Sequence, residues 1–267
     1  MIIEGVVERK LMKPILNIAA YLFVSLDKLE DLRALMLEEC QQRHLKGTIL
    51  LTGEGINMFL AGAEQEMRGF LSWLRSDPRF SAIESKESWS DEQPFKKMLI
   101  KLKSEIIRMN HPAIQPEKGR ANFITAQKLK EWLDRGTDDL GREVVMLDTR
   151  NAFEVDYGTF ENALHFNIEK FTEFPEAITK RKDELLDKTI VSFCTGGIRC
   201  EKSGLYMREI GMEHTYQLEG GILKYFEEVG SAHYQGSCFV FDEREALEPS
   251  LDTISPEHSI RKKLQTS

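Results

Sequence analysis

Residues 189–200 read Thr189-Ile190-Val191-Ser192-Phe193-Cys194-Thr195-Gly196-Gly197-Ile198-Arg199-Cys200. The first five, all but Ser192 β-branched or aromatic, make a short buried strand. That strand delivers a cysteine at its C-terminal end. Gly196 and Gly197 then make a tight loop, and the spacing predicts a helix over Cys200–Ile210. Strand, loop and helix in this order form the unit of a parallel α/β sheet, where ligands bind beyond the carboxyl ends of the strands. Amides at a helix start favour an anion, and two glycines let the backbone curl closely around it. Arg199 adds a fixed positive charge. A thiol placed there has a lowered pKa and is a good nucleophile. Cys194 is therefore the candidate catalytic residue, with Thr195, Gly196, Gly197, Ile198 and Arg199 as the cradle for an anion or persulfide. The competing view makes Cys194 a small buried hydrophobe at a strand end.

The same alternation of strand and helix extends on both sides. Helices are predicted at Thr125–Arg135 and Gly221–Glu228. Short strands are predicted at Val144–Leu147, Ala163–Phe166 and His214–Leu218. The fold class is thus α/β with a mostly parallel sheet over residues 121–231. Upstream, the apolar run Ile15–Val24 reads as a strand. It is followed by an amphipathic helix over Leu29–His44 and strands at Thr48–Leu51 and Ile56–Leu60 around the turn Gly53-Glu54-Gly55. A second helix over Ala63–Arg75 and a strand over Phe95–Ile107 complete the series. The order β-α-β-β-α-β predicts a ferredoxin-like α+β domain over residues 1–110. Two prolines and a glycine make residues 111–120 a linker. Residues 232–267 are an extension whose polar end, from Pro249, is expected to be poorly ordered, as is the ragged start at 1–13.

Among 267 residues, 36 Lys and Arg face 44 Asp and Glu, a net charge of −8. The imbalance is local: residues 1–120 carry 18 basic against 17 acidic side chains, and residues 121–267 carry 18 against 27. Indiscriminate nucleic-acid binding is excluded, but a polyanion meeting the first half is not. On the predicted strand 95–107, Lys97, Lys101 and Lys103 share a face and are candidate phosphate contacts; the ordinary alternative is a solvated strand face. Phe95, Tyr157 and Phe160 are candidate base-stacking rings by position, although core packing accounts for each. No apolar run is long enough for a membrane helix. The N-terminus lacks a secretory pattern, and four cysteines are too few for a disulfide scaffold, so a cytoplasmic protein with reduced thiols is expected.

The loop Cys194-x4-Arg199 is one residue shorter than the phosphate cradle of cysteine phosphatases, which suits a single sulfur on the cysteine. It resembles the active-site loop of the rhodanese family. Leu147-Asp148-Thr149-Arg150 with Glu154 and Gly158, and Leu218-Glu219-Gly220-Gly221, resemble two further elements of that family, with Thr159 where a histidine is common. A more specific trio is Lys46–Asn57 (KGTILLTGEGIN), Cys194–Lys202 (CTGGIRCEK) and Cys238–Asp242 (CFVFD). Together they resemble the rhodanese-domain tRNA uridine(34) hydroxylases over residues 15–245.

That resemblance implies an oxidoreductase that hydroxylates the wobble uridine of tRNA at C5. Molecular oxygen is the implied co-substrate, Cys194 the active cysteine working through a persulfide, and the tRNA anticodon loop the partner. Members often carry a cysteine-rich extension after the last element; this sequence has no cysteine beyond Cys238, and no metal role is expected there. No metal-ligand spacing or dinucleotide glycine motif is evident, so no cofactor and no metal site are expected. Two chemistries stay open for the sulfur: addition of Cys194 to C6 of the base, or a persulfide as redox partner. Asp148, Arg150 and Cys200 are supporting candidates, Cys200 either as a resolving thiol or as packing. Glu54, presented between two glycines, is a candidate for the active cleft, although turn chemistry suffices to explain it. The rival functions are a sulfurtransferase drawing on a sulfur donor, which needs no RNA surface, and a non-catalytic binding module.

Overall fold

The computed structural model describes residues 14–255 and 257–260. The chain runs β1 (Ile15–Phe23), α1 (Leu29–Gln42), β2 (Lys46–Thr52), β3 (Gly55–Ala63), α2 (Glu64–Ser76), β4 (Ser85–Ser90) and β5 (Met98–Leu102). These form one sheet in the order β4-β1-β3-β2-β5. Its first four strands are antiparallel, and β5 adds to the edge parallel to β2.

The ferredoxin-like pattern is present, with one correction. The strand that pairs with β1 is Ser85–Ser90, whereas the predicted final strand, shortened to Met98–Leu102, is an addition at the opposite edge. The physical reason lies in the composition of β4. Ser-Lys-Glu-Ser-Trp-Ser has no apolar alternation because β4 is an edge strand. Its Glu87 meets Arg68 of α2, and its Lys86 lies on the other face.

Alternation in β1, β2 and β3 divides their side chains between two faces. Leu16, Ile18, Ile49, Leu51, Met58 and Leu60 pack against Leu32, Met36 and Cys40 of α1 and Met67, Phe70, Leu71 and Leu74 of α2. Burial of each large apolar side chain contributes roughly 1.5–3 kcal/mol. Both helices lie on this one side, so the opposite face of the sheet is left open by the first half's own helices. Register places Tyr21, Asn57, Leu50 and Lys101 in a row across that open face.

The second half runs β6 (Phe123–Ile124), α3 (Ala126–Arg135), β7 (Val144–Asp148), α4 (Ala152–Val155), β8 (Gly158–Phe160), β9 (Leu164–His165), α5 (Phe174–Arg181), β10 (Thr189–Phe193), α6 (Ile198–Glu209), β11 (Thr215–Leu218) and α7 (Gly221–Val229). Its sheet is parallel throughout, in the order β6-β11-β10-β7-β9. Every residue of β10 is buried, as expected for a central strand covered on both faces. One side is packed by Leu129 and Trp132 of α3 with Ile222 and Phe226 of α7. The other is packed by Phe174 and Ile178 of α5 with Tyr206 and Met207 of α6.

The segment predicted as a linker, 111–120, carries no α-helix or strand but is packed down: Pro116 is buried, and Ile114 joins the α5 and α6 side of the second half's core. The short pieces β12 (Tyr234–Gly236), β13 (Cys238–Phe239) and β14 (Ala246–Leu247) follow α7; β12 pairs with β8, and β13 with β14. The order extends past Pro249, contrary to expectation. Ile254 is buried and its amide donates to Ala246 at 3.2 Å, and Ser259 Oγ donates to Glu245 at 2.6 Å. The residue ranges 1–13 and 261–267 lie outside the described residues. No described helix is long and apolar enough to cross a membrane.

Candidate active site

The carboxyl end of β10 stops at Cys194, and the loop turns at once into α6. Gly197 makes that turn with φ 96°, a conformation that favours glycine. Its amide points at Cys194 Sγ, 3.2 Å away. The helix begins at Ile198, two residues earlier than predicted, which puts Arg199 in its first turn with its amide toward the sulfur. The loop is held from behind by α7, where Ile222 N donates to Cys194 O at 3.0 Å and Leu223 N to Thr195 O at 3.1 Å. This close approach requires Gly221, because a Cβ there would stand 2.4 Å from Cys194 O. Thr149 fixes the strand end through its amide and hydroxyl, both donating to Phe193 O.

Burial alone would raise the Cys194 thiol. A hydrogen bond from Cys200, the charge of Arg199 and the amides of Arg199 and Gly197 act the other way and bring it down to about 6. Cys200, buried and beside a negative sulfur, is pushed up. The pair is therefore polarised, with one thiolate and one thiol donor.

Arg199 is fully clamped at its end. Its two terminal nitrogens donate to Glu154 Oε2 at 2.6 Å and Oε1 at 2.7 Å, while its buried Nε has no partner. Burial disfavours the guanidinium charge, but Glu154 outweighs this and keeps it protonated. Glu154 is itself held by the Asn151 amide. Asp148 and Arg150 form a separate buried pair, closed at 2.6 Å, that also ties Gly158 O and Thr159 Oγ1. They brace the neighbouring loop and do not line the cleft.

The open face of the first sheet lies over the Cys194 loop, enclosing a cleft of about 740 Å³. Cys194, Thr195, Gly196, Ile198 and Arg199 line it from below; Tyr21, Asn57, Phe59, Lys86 and Lys101 line it from above. Among the described residues its charged lining is Lys86, Lys101, Arg108, Lys170 and Arg199, without an aspartate or glutamate. In a chain of net charge −8 this is a concentrated positive site. Of the predicted phosphate contacts, Lys101 is in the cleft; Lys97 and Lys103 are exposed on the same edge but outside it. Phe160 is buried in the second core and Phe95 lines a smaller neighbouring cavity, so neither reaches the sulfur. Tyr157 donates to Glu245.

Two successive residues of α6 join the halves. Lys202, 2 % exposed, reaches Glu54 at 2.9 Å and Glu105 at 2.7 Å. Glu201 accepts from Tyr21 at 3.4 Å, from Arg120 at 2.9 Å and from Gln217 at 2.8 Å. Glu54 is thus more than a turn residue. Burial and the nearby charges of Glu201 and the two cysteines raise the Tyr21 hydroxyl, so it stays protonated. Lys86 stands 4.9 Å over the Tyr21 ring, and burial lowers its ammonium. Sequence reasoning missed Glu154, Tyr21, Lys86, Phe59, Lys170 and Phe241 as site residues. Glu154 and Phe241 were within reach, since both fall inside quoted motifs.

Comparison with known proteins agrees with this architecture. Residues 15–106 match the UPF0176 acylphosphatase like domain, and residues 125–228 match the Rhodanese-like domain. A tRNA uridine(34) hydroxylase of Cupriavidus taiwanensis is 60% identical over 242 residues, covering 91% of this chain and 86% of that one. One from Burkholderia lata is 61% identical over 241 residues, covering 89% and 85%. Among solved structures, the Rhodanese-like domain of an Anabaena protein aligns with 43% of this chain and 78% of its own, at 18% identity and a TM-score of 0.35. With about 60% identity over 91% of its length and 86% of the Cupriavidus taiwanensis relative's, the chain belongs to the tRNA uridine(34) hydroxylase family.

Proposed function

We propose that this chain hydroxylates C5 of the wobble uridine of tRNA with molecular oxygen, and that Cys194 is the residue that engages the base. The observation that carries this reading is the cleft itself. A lowered-pKa sulfur sits at the floor of a 740 Å³ space whose charged lining is wholly cationic, in a chain about 60% identical to proteins named for that reaction. The wobble base lies in a single-stranded loop, so it can be splayed into such a space.

In the scheme we favour, the Cys194 thiolate adds to C6 of the uracil ring. The electron pair then rests on C5 and O4 as an enolate, and C5 is the carbon that reacts with O2. Arg199 and the loop amides hold negative charge on the sulfur before addition and offset it afterwards. The C5 hydroperoxide then loses its C5 proton as the Cys194–C6 bond breaks, which restores the C5=C6 double bond and returns the thiolate; cleavage of the O–O bond leaves one oxygen on C5 and releases the other as water, taking up two electrons and two protons. The adjacent Cys194 and Cys200 thiols, once Cys194 has left C6, are the chain's own candidate donors: closing to a disulfide, they release two electrons and two protons. The cytoplasm, where tRNA is modified, is the matching compartment.

The test is nucleoside mass spectrometry of total tRNA from cells lacking the protein, complemented with wild type or Cys194→Ser. Loss of 5-hydroxyuridine and its derivatives, restored by wild type alone, supports the reading. Unchanged modification in a strain with no redundant route overturns it and moves the weight to sulfur transfer.

A further inference from the structure

The cleft has an aromatic rim that the chemistry above does not use. Phe239 is 4 % exposed and serves as an anchor. Phe241 and Phe153 both stand edge-on to it, with centroids at 5.1 and 5.2 Å and ring planes at 89° in each case. Both are nearly half bare, at 47 % and 46 % exposure. Phe241 lines the cleft and lies 6.1 Å from Phe59, which lines it from the first sheet. An isolated exposed phenylalanine says little. Two on one buried anchor, one of them lining a cleft whose charged lining among the described residues is five cations, are a different matter.

We infer that Phe241, with Phe153 and Phe59 beside it, is a stacking platform for the unpaired bases that flank the target uridine. The inference rests on the RNA reading above and deepens it. Base stacking on aromatic rings is how single-stranded nucleic acid is held where charge alone gives no register. The cationic lining accounts for the phosphates, and the apolar rings account for the bases between them. The platform is rigid before binding: Val240 N donates to Glu245 O at 2.9 Å, and Asp242 is paired to Arg244 at 2.6 Å. Little ordering cost is then left for association. It is also in register with the sulfur, because Thr195 Oγ1, next to Cys194, donates to Phe239 O at 3.3 Å. A base stacked on Phe241 therefore sets how far its neighbour reaches toward Cys194.

The experiment measures binding of a fluorescent anticodon stem-loop by anisotropy over a range of salt concentrations. Full-length wild type is compared with Phe241→Ala, Phe241→Tyr and Phe153→Ala. The RNAs are the intact stem-loop and two versions with an abasic nucleotide immediately 5′ or 3′ of the target uridine. Phe241→Ala is expected to weaken the intact RNA by about 5- to 150-fold, the range for one lost base–ring stack, with an unchanged salt slope. Phe241→Tyr retains affinity, Phe153→Ala shows a smaller loss, and the Phe241→Ala penalty vanishes on one of the two abasic RNAs, which identifies the stacked base. Unchanged affinity in Phe241→Ala overturns the inference, as does an equal penalty on all three RNAs. Wild type that fails to bind any stem-loop overturns the RNA reading together with it.

Discussion

Arg199 gives both terminal nitrogens to Glu154, at 2.6 and 2.7 Å, and both side chains are buried. A bidentate clamp of this kind fixes the plane of the guanidinium as well as its position. The positive charge beside Cys194 is therefore immobile. Glu154→Ala leaves that charge buried and unpaired, which costs about 3–5 kcal/mol of folding stability for a pair of this type. Urea unfolding should show the loss as a lowered midpoint with little change in slope. Glu154→Gln, which keeps an acceptor, should lose less.

The thiol of Cys194, lowered to about 6, sets a pH dependence. Raising the pH through that value removes the proton and creates the nucleophile, so single-turnover modification should rise from pH 5 and level off above pH 7. Arg199→Gln removes a charge that favours the thiolate, so the inflection should move upward by about one pH unit or more. An inflection that stays in place would mean that Arg199 does not tune the sulfur.

Lys101 and Lys170 line the cleft, whereas Lys97 and Lys103 do not. Among the described residues, none of the four makes an ion pair within 4.0 Å, so charge reversal breaks no such internal contact. Lys101→Glu and Lys170→Glu should each weaken tRNA binding and flatten the salt dependence by roughly one unit of slope. Lys97→Glu and Lys103→Glu should change it less. Equal effects at all four positions would point to diffuse attraction over the whole edge.

Lys86 likewise has no carboxylate within ion-pair distance among the described residues, and burial already disfavours its charge. Lys86→Met gives up one cation–ring contact and removes one desolvated charge, so stability should stay within about 1 kcal/mol of the parent. Modification should fall at least about tenfold, the cost of roughly 1.4 kcal/mol of lost anion binding. Thermal unfolding and single-turnover assays on the same samples separate the two effects.

What the sequence made legible follows contact range. The Cys194 loop is built from neighbours in the chain, so its strand, turn and helix could be read directly. The Ser85–Ser90 strand was missed because this edge strand, Ser-Lys-Glu-Ser-Trp-Ser, has no apolar alternation. Glu54 looked like a turn residue, since its partner Lys202 is 148 positions away. Glu201 was silent for the same reason, with Arg120 and Tyr21 at separations of 81 and 180. The three lysines of one strand face looked equivalent, and only the placement of the sheet over the sulfur distinguishes Lys101. Phe241 lay within a quoted motif, but its exposure is set by tertiary packing on Phe239.

The consecutive pair Glu201 and Lys202 has a bearing on modularity. Their partners are Tyr21, Glu54 and Glu105 on one side of the connector, with Arg120 at its end. Both sit on the helix that starts within the sulfur's own loop. A fragment cut near residue 120 would therefore strip Lys202 of both its carboxylates and leave Glu201 with Gln217 but without Tyr21, and would lose the first half's hold on the helix that presents Arg199 to the sulfur. The two halves look like separable cassettes when each is matched to its own family, yet they are wired as one machine. An assay on the isolated second half would report the behaviour of a damaged loop, including any sulfur transfer it displays.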